Sequence, residues 1–130
     1  MDSINTDIRH ADIHIVALTE AGHQLAKTLV DKIPSADIWY KPKPFAESVQ
    51  QAFVRGERLI FICATGIVVR TLASVLQDKY NDPAVLILDE AGKYVIPLLS
   101  GHEGGANDWA NQVSELIDAQ LVMTTANPYL

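Results

Sequence analysis

Ser100 to Asn107 (SGHEGGAN) brings together the residue types that most readily do chemistry. Its glycines, Gly101, Gly104 and Gly105, let the backbone approach a ligand and turn N–H groups inward. The loop opens a helix, and a helix N-terminus carries unsatisfied donors and about half a positive charge. A carboxylate, a phosphate or a developing oxyanion is favoured there. His102 can exchange a proton near neutral pH. Ser100 can donate a hydrogen bond or, less plausibly, act as a nucleophile, but no triad acid can be assigned. The loop matches neither GxGxxG nor the phosphate-loop pattern, so a nucleotide reading lacks its usual support. A glycine-rich turn with a capping serine weighs about as heavily as a site.

Other candidates lie where a strand ends. Thr65 and Gly66 follow the apolar run Leu59–Cys63, and Thr65 suits a helix N-cap. Arg70, one turn later, can pair with a substrate carboxylate or simply sit on the solvated helix face. Asp89 and Glu90 follow the run Ala84–Leu88. A dry site would make either a general base. Asp89 with Gly92 three residues on is also ordinary turn sequence, and that reading prevails unless the loop faces the glycine-rich one. Thr124 ends the last expected strand, and Thr125 opens the loop after it. His10, His14 and His23 form no recognisable ligand set, so no metal site is expected. His14, inside a strand, reads as a packed or surface residue. Cys63 reads as a buried, inert thiol. Trp39, Tyr40 and Trp109 read as packing residues.

The elements that must position these residues alternate regularly. Short β-branched runs predict strands at Ile13–Leu18, Asp37–Tyr40, Leu59–Cys63, Ala84–Leu88, Tyr94–Leu98 and Gln120–Thr124. Helices are expected at about 20–32, 45–55, 67–76 and 106–117. KPKPF (Lys41–Phe45) is the clearest turn, because two prolines cannot sit in a central strand. The tight DEAGK link predicts a hairpin, so the sheet should be mostly parallel but mixed. The pattern predicts a three-layer α/β/α sandwich with helices on both faces. Ligands of such sheets bind beyond the carboxyl ends of the strands. On this reading Ser100–Asn107, Thr65, Arg70 and Asp89–Glu90 share one sheet end.

The 130 residues suit one domain, read as a flexible tail at 1–10 and a single α/β domain at 11–130. Ten Lys and Arg against sixteen Asp and Glu give a net charge of -6. A nucleic-acid partner is disfavoured, since phosphate contacts need a basic footprint. One cysteine excludes an internal disulfide framework. No apolar run nears the roughly 20 residues of a membrane span, and the polar start does not read as a signal peptide. A cytoplasmic location is expected.

The residues from Cys63 to Ala126, above all ATGIVVR, DPAVLILDEAG and PLLSGHEGGAN, resemble the N-terminal domain of CbiG, a family of cobalamin (vitamin B12) biosynthesis. Before Leu59 the likeness lies only in the strand–helix pattern. The resemblance implies cobalt-precorrin-5A hydrolase activity: opening of a δ-lactone on a cobalt-bound corrin precursor, with loss of acetaldehyde, to give cobalt-precorrin-5B. Cobalt is then expected only within the substrate, and no cofactor held by the protein is expected. In this frame Gly104 and Gly105 amides would stabilise the oxyanion, and His102, Asp89 and Glu90 are the acid–base candidates. Thr65, Gly66, Arg70, Ser100, Gly101, Asn107, Thr124 and Thr125 would line the substrate site. The acidic chain would need Arg70, Lys93 and backbone donors to make a locally positive mouth. The alternative is a non-catalytic tetrapyrrole-binding or scaffold module that needs a separate C-terminal-domain partner. A third, generic reading is an anion- or nucleotide-binding domain. A homo-oligomer is left open.

Overall fold

The computed structural model describes residues 11–126. The expected tail at 1–10, with His10, lies outside them, as do the last four residues. Strands β1 (Ile13–Ala17), β2 (Ala36–Tyr40), β3 (Arg58–Ile62), β4 (Val85–Leu88), β5 (Tyr94–Leu99) and β6 (Gln120–Leu121) form one sheet in the order β2-β1-β3-β4-β5-β6. Helices α1 (Glu20–Val30), α2 (Phe45–Val54), α3 (Thr65–Leu72) and α4 (Ala106–Leu116) connect them, and a 3₁₀ turn at Ala73–Val75 prolongs α3.

The apolar runs become strands because both sheet faces are covered. All five residues of β1 and all four of β4 are buried. Strand alternation sends Ile15, Ile60, Ile62 and Leu86 to one face, where they meet Ala26 and Leu29 of α1 and Trp109, Ala110 and Val113 of α4. Val16, Phe61 and Ile87 point the other way, onto Val49 and Phe53 of α2 and Val68 and Leu72 of α3. Each helix carries one apolar stripe, so the sandwich has the three layers expected.

Strands β1 to β4 run parallel. β5 turns back and pairs antiparallel with β4, and β6 is parallel to β5. The turn rests on Asp89, whose Oδ1 accepts from the Lys93 and Tyr94 amides at 2.9 and 2.7 Å, and on Gly92 at φ +70°. That positive φ suits a residue without a Cβ. β6 stops at Leu121 rather than at Thr124. Val122 still donates to Val95, and the chain then leaves the sheet edge.

Candidate active site

Reversal of β5 separates the residues that the sequence suggested lay together. The loops after β1, β3 and β4 emerge at one end of the sheet. Those after β5 and β6 emerge at the other, because these two strands point the opposite way. Ser100 Oγ donates to the carbonyl of Asp82, a residue that precedes β4. The strand between Asp82 and Asp89 spans roughly 20 Å at about 3.3 Å per residue. Thr65, Gly66, Arg70, Asp89 and Glu90 therefore do not share a sheet end with Ser100–Asn107, Thr124 and Thr125.

The glycine-rich loop is tightly self-bonded. The carbonyl of Ser100 accepts from the Gly104 and Ala106 amides, both at 3.1 Å, and that of Gly101 accepts from Asn107 at 3.0 Å. The Gly104 amide is thereby occupied, which removes it as a ready oxyanion donor. A Cβ on Gly104 would fall 2.4 Å from Ser100 Cβ, so packing alone demands glycine. Gly105, at φ +78°, is the N-cap of α4. Asn107 Nδ2 donates to Thr125 Oγ1 at 3.0 Å, which ties α4 to the strand leaving β6. Its Oδ1 is buried without a partner, against Gly101. His102 is exposed, with Nε2 3.2 Å from the Ala126 carbonyl.

At the opposite end, α1 leaves β1 toward one face and α3 leaves β3 toward the other. The neighbouring strands thus part at a topological switch point, the usual seat of a ligand in an open α/β sheet. A cavity of about 510 Å³ opens there, lined by Leu18, Thr19, Cys63, Ala64, Asp89 and Glu90, with Ile67 beside them. That volume is typical of small-molecule sites. A recess of about 600 Å³ between Ala91–Tyr94 and Ile117–Gln120 lies off the switch point.

Thr19 caps α1 by accepting from the Gly22 amide at 3.1 Å, and its hydroxyl donates to Glu90 Oε2. Ala64, not Thr65, is the N-cap of α3, because Thr65 already has helical geometry and makes no side-chain cap. Arg70 folds back along the first turn of α3: a Cβ built on Gly66 would lie 2.9 Å from its Nη1. Thr65, Gly66 and Arg70 therefore do gather at the cavity's end of the sheet, where the N-terminal amides of α3 add positive potential. Asp89 is committed to its turn, whereas Glu90 lines the cavity and is held by Thr19. Cys63 is only partly buried, not fully as expected, and lines the cavity, yet desolvation pushes its thiol up to about 11. Sequence reasoning missed Thr19 as a partner of Glu90. A threonine directly after a buried strand was the available signal, but its partner lies 71 residues away.

His14 also proved more specific than expected. It is buried, with Nδ1 2.6 Å from Asp37 Oδ1 and Nε2 2.6 Å from Glu57 Oε1, and its ring stacks on Trp39 at 4.1 Å. Arg55 grips the same Glu57 at 2.7 and 3.0 Å and, with His14, holds that carboxyl below its ordinary range.

An open, largely parallel sheet with a cavity at its switch point defines an α/β domain with a candidate ligand site. The cobalamin synthesis G N-terminal family model matches residues 47–127, and the chain belongs to that family. It is 40% identical over 129 residues to a cobalt-precorrin-5A hydrolase of Salmonella typhimurium, covering 92% of this chain and 37% of that protein. It is 35% identical over 135 residues to a cobalt-precorrin-5A hydrolase of Priestia megaterium, covering 92% and 36%. The likeness thus extends well before Leu59, further than the motifs alone indicated. A solved cobalamin biosynthesis protein G homologue from Sulfolobus solfataricus shares the fold, with a TM-score of 0.68 and 26% identity over 90% of this chain and 38% of that one. The chain spans a little over a third of the length of the curated relatives it matches. Among the described residues no helix is long and apolar enough to cross a membrane.

Proposed function

We propose that this chain acts in cobalamin biosynthesis on cobalt-precorrin-5A, opening its δ-lactone with loss of acetaldehyde to give cobalt-precorrin-5B. The carrying observation is the 40% identity, over 92% of the chain, to a protein named for that reaction. Cobalt enters as part of the substrate, and the work is done in the cytoplasm.

The switch-point cavity is the proposed seat of the lactone. Water adds to the lactone carbonyl while Glu90 takes its proton. The α3 amides at Thr65 and Gly66, with Arg70, stabilise the oxyanion as it forms. Collapse breaks the ring C–O bond and frees that oxygen as an alkoxide on the two-carbon unit. The alkoxide becomes the C=O of acetaldehyde as the carbon–carbon bond to the macrocycle breaks, and the bonding pair passes into the macrocycle, which takes up the proton held by Glu90. The hydroxyl of Thr19 orients Glu90. The glycine-rich loop, Ser100–Asn107 with Thr124 and Thr125, holds the opposite end of the domain, and His102 stands outside the reacting centre.

A second reading, in which this domain binds the precursor and another part of the family's polypeptide completes the reaction, draws on the 37% span of the relative. Anaerobic incubation with cobalt-precorrin-5A, read by mass spectrometry and an acetaldehyde assay, separates the two. Turnover lost in Glu90→Gln and kept in His102→Ala is the expected result. Turnover lost only in His102→Ala would move the site to the glycine-rich loop. Binding without turnover would favour the second reading.

A further inference from the structure

The KPKP turn is the one sequence signal that the switch-point cavity leaves unused. It leaves β2 at the same sheet end. Lys41 adopts φ +49°, and its amide donates to the Ala17 carbonyl at 2.9 Å, which pins the turn to the end of β1. Pro42 and Pro44 fix their own φ angles and stiffen the path into α2. A second cavity, about 290 Å³, opens beneath the turn between Trp39, Tyr40, Pro42, Lys43 and Ser48. Trp39 and Tyr40 are consecutive on β2 and point to opposite faces, Trp39 onto His14 and Tyr40 onto His23. Trp39 is therefore the aromatic wall of this cavity, with the Lys43 ammonium and the Ser48 hydroxyl beside it. The Lys41 ammonium lies 5.3 Å from the centre of the Tyr40 ring. Among the described residues no carboxylate stands within ion-pairing distance of Lys41 or Lys43. Glu20, which meets this corner, is engaged by the Tyr40 hydroxyl at 3.4 Å and the Gln24 amide at 2.7 Å.

In a chain of net charge -6, two lysines on one stiff turn without a carboxylate partner, Lys43 beside the Trp39 cavity and Lys41 over Tyr40, fit a ligand with an apolar body and carboxylate arms. We infer that the Lys41–Lys43 turn, with Trp39 in the cavity beside it, is a carboxylate-binding subsite for the periphery of such a ligand. The inference deepens the corrin reading and rests on it for the ligand's identity. Geometry supports one ligand across both cavities. The second lies at the end of β2, next to the first, which spans the ends of β1, β3 and β4. Glu90 follows β4 and the turn follows β2, three strand spacings or about 14 Å apart, so a macrocycle with its reacting edge at Glu90 brings its far side arms over the turn. Lys41 and Lys43 then position the ligand and take no part in bond making.

The test uses the whole chain and two probes, dicyanocobyrinic acid, which carries free carboxylates, and its heptamethyl ester. Binding is read by equilibrium dialysis and corrin absorbance at 50 and 300 mM salt. The wild type should prefer the acid. Lys41→Gln/Lys43→Gln should bind the acid about tenfold more weakly at low salt, with the gap closing at high salt. Lys41→Arg/Lys43→Arg should retain binding, and circular dichroism should show each variant folded. Equal affinity of wild type and the double Gln variant for the acid would overturn the subsite. So would failure of the wild type to bind the acid at all, or equal binding of acid and ester. With cobalt-precorrin-5A the double Gln variant should show a raised KM at nearly constant kcat. An unchanged KM with full turnover would sink the subsite and leave the hydrolase reading standing. Charge-dependent corrinoid binding without turnover by any variant would keep the subsite and remove the hydrolase activity from this chain.

Discussion

Replacing His14 by leucine isolates the least expected feature of the fold. Leucine keeps most of the apolar burial, so the cavity contribution is small. It removes two short contacts, each 2.6 Å, and the stack on Trp39. Asp37 is 45% exposed and can regain water, so its share is about 0.5 kcal/mol. Glu57 is 16% exposed and recovers less, but it keeps Arg55, so its loss is about 1.5 kcal/mol. The ring stack contributes about 1 kcal/mol more. The expected destabilisation is about 3 kcal/mol, or roughly 12 °C in Tm for a domain of this size. Urea unfolding followed by far-ultraviolet circular dichroism measures it, with an unchanged m-value as the control. A double-mutant cycle with Glu57→Gln should return a coupling of at least about 1 kcal/mol. A loss below about 1 kcal/mol, or no coupling, would refute the reasoning and make His14 a spectator.

The geometry sets three further outcomes. Gly104→Ala places a Cβ 2.4 Å from Ser100 Cβ, so the loop must shift, and thermal unfolding should show a loss of about 2 kcal/mol. Glu57 is held below its ordinary value near 4.5, first by Arg55. Its contribution is therefore present above about pH 4.5 and fades as pH falls through its folded value. The stability gap between wild type and Glu57→Gln should shrink from pH 5 to pH 3 in urea titrations. Burial raises the Cys63 thiol to about 11 from an ordinary 9.0, so iodoacetamide at pH 8 should meet about a hundredfold less thiolate than on an unhindered cysteine. Rapid labelling of native protein would contradict that.

The elements were legible in the sequence because buried strands here are short, β-branched and punctuated by helices with one apolar stripe. Val85–Leu88 and Glu20–Val30 needed nothing more. The candidate site was legible only in halves. The DEAGK hairpin was visible, and a hairpin reverses the strand after it, so the removal of Ser100–Asn107 to the other sheet end was already implied by that turn. Thr65 looked like a cap, but backbone geometry gave that place to Ala64. The length of β6 was misread because Val122 and Met123 are as apolar as Leu121, while the Asn107–Thr125 bond draws the chain off the sheet. His14 gave no signal at all, since Asp37 and Glu57 lie 23 and 43 residues further along the chain.

The turn that reverses β5 also bears on how the sheet is assembled in time. Its β4–β5 pairing joins Leu88 to Val95, only seven positions apart, whereas the other neighbouring strands meet after an intervening helix or a longer crossover. Local pairings close with the least loss of chain entropy and tend to form early. The hairpin at Asp89–Lys93 is thus a natural nucleus. A destabilising change there, such as Asp89→Ala, should slow refolding more than it speeds unfolding in stopped-flow experiments, whereas His14→Leu should do the reverse.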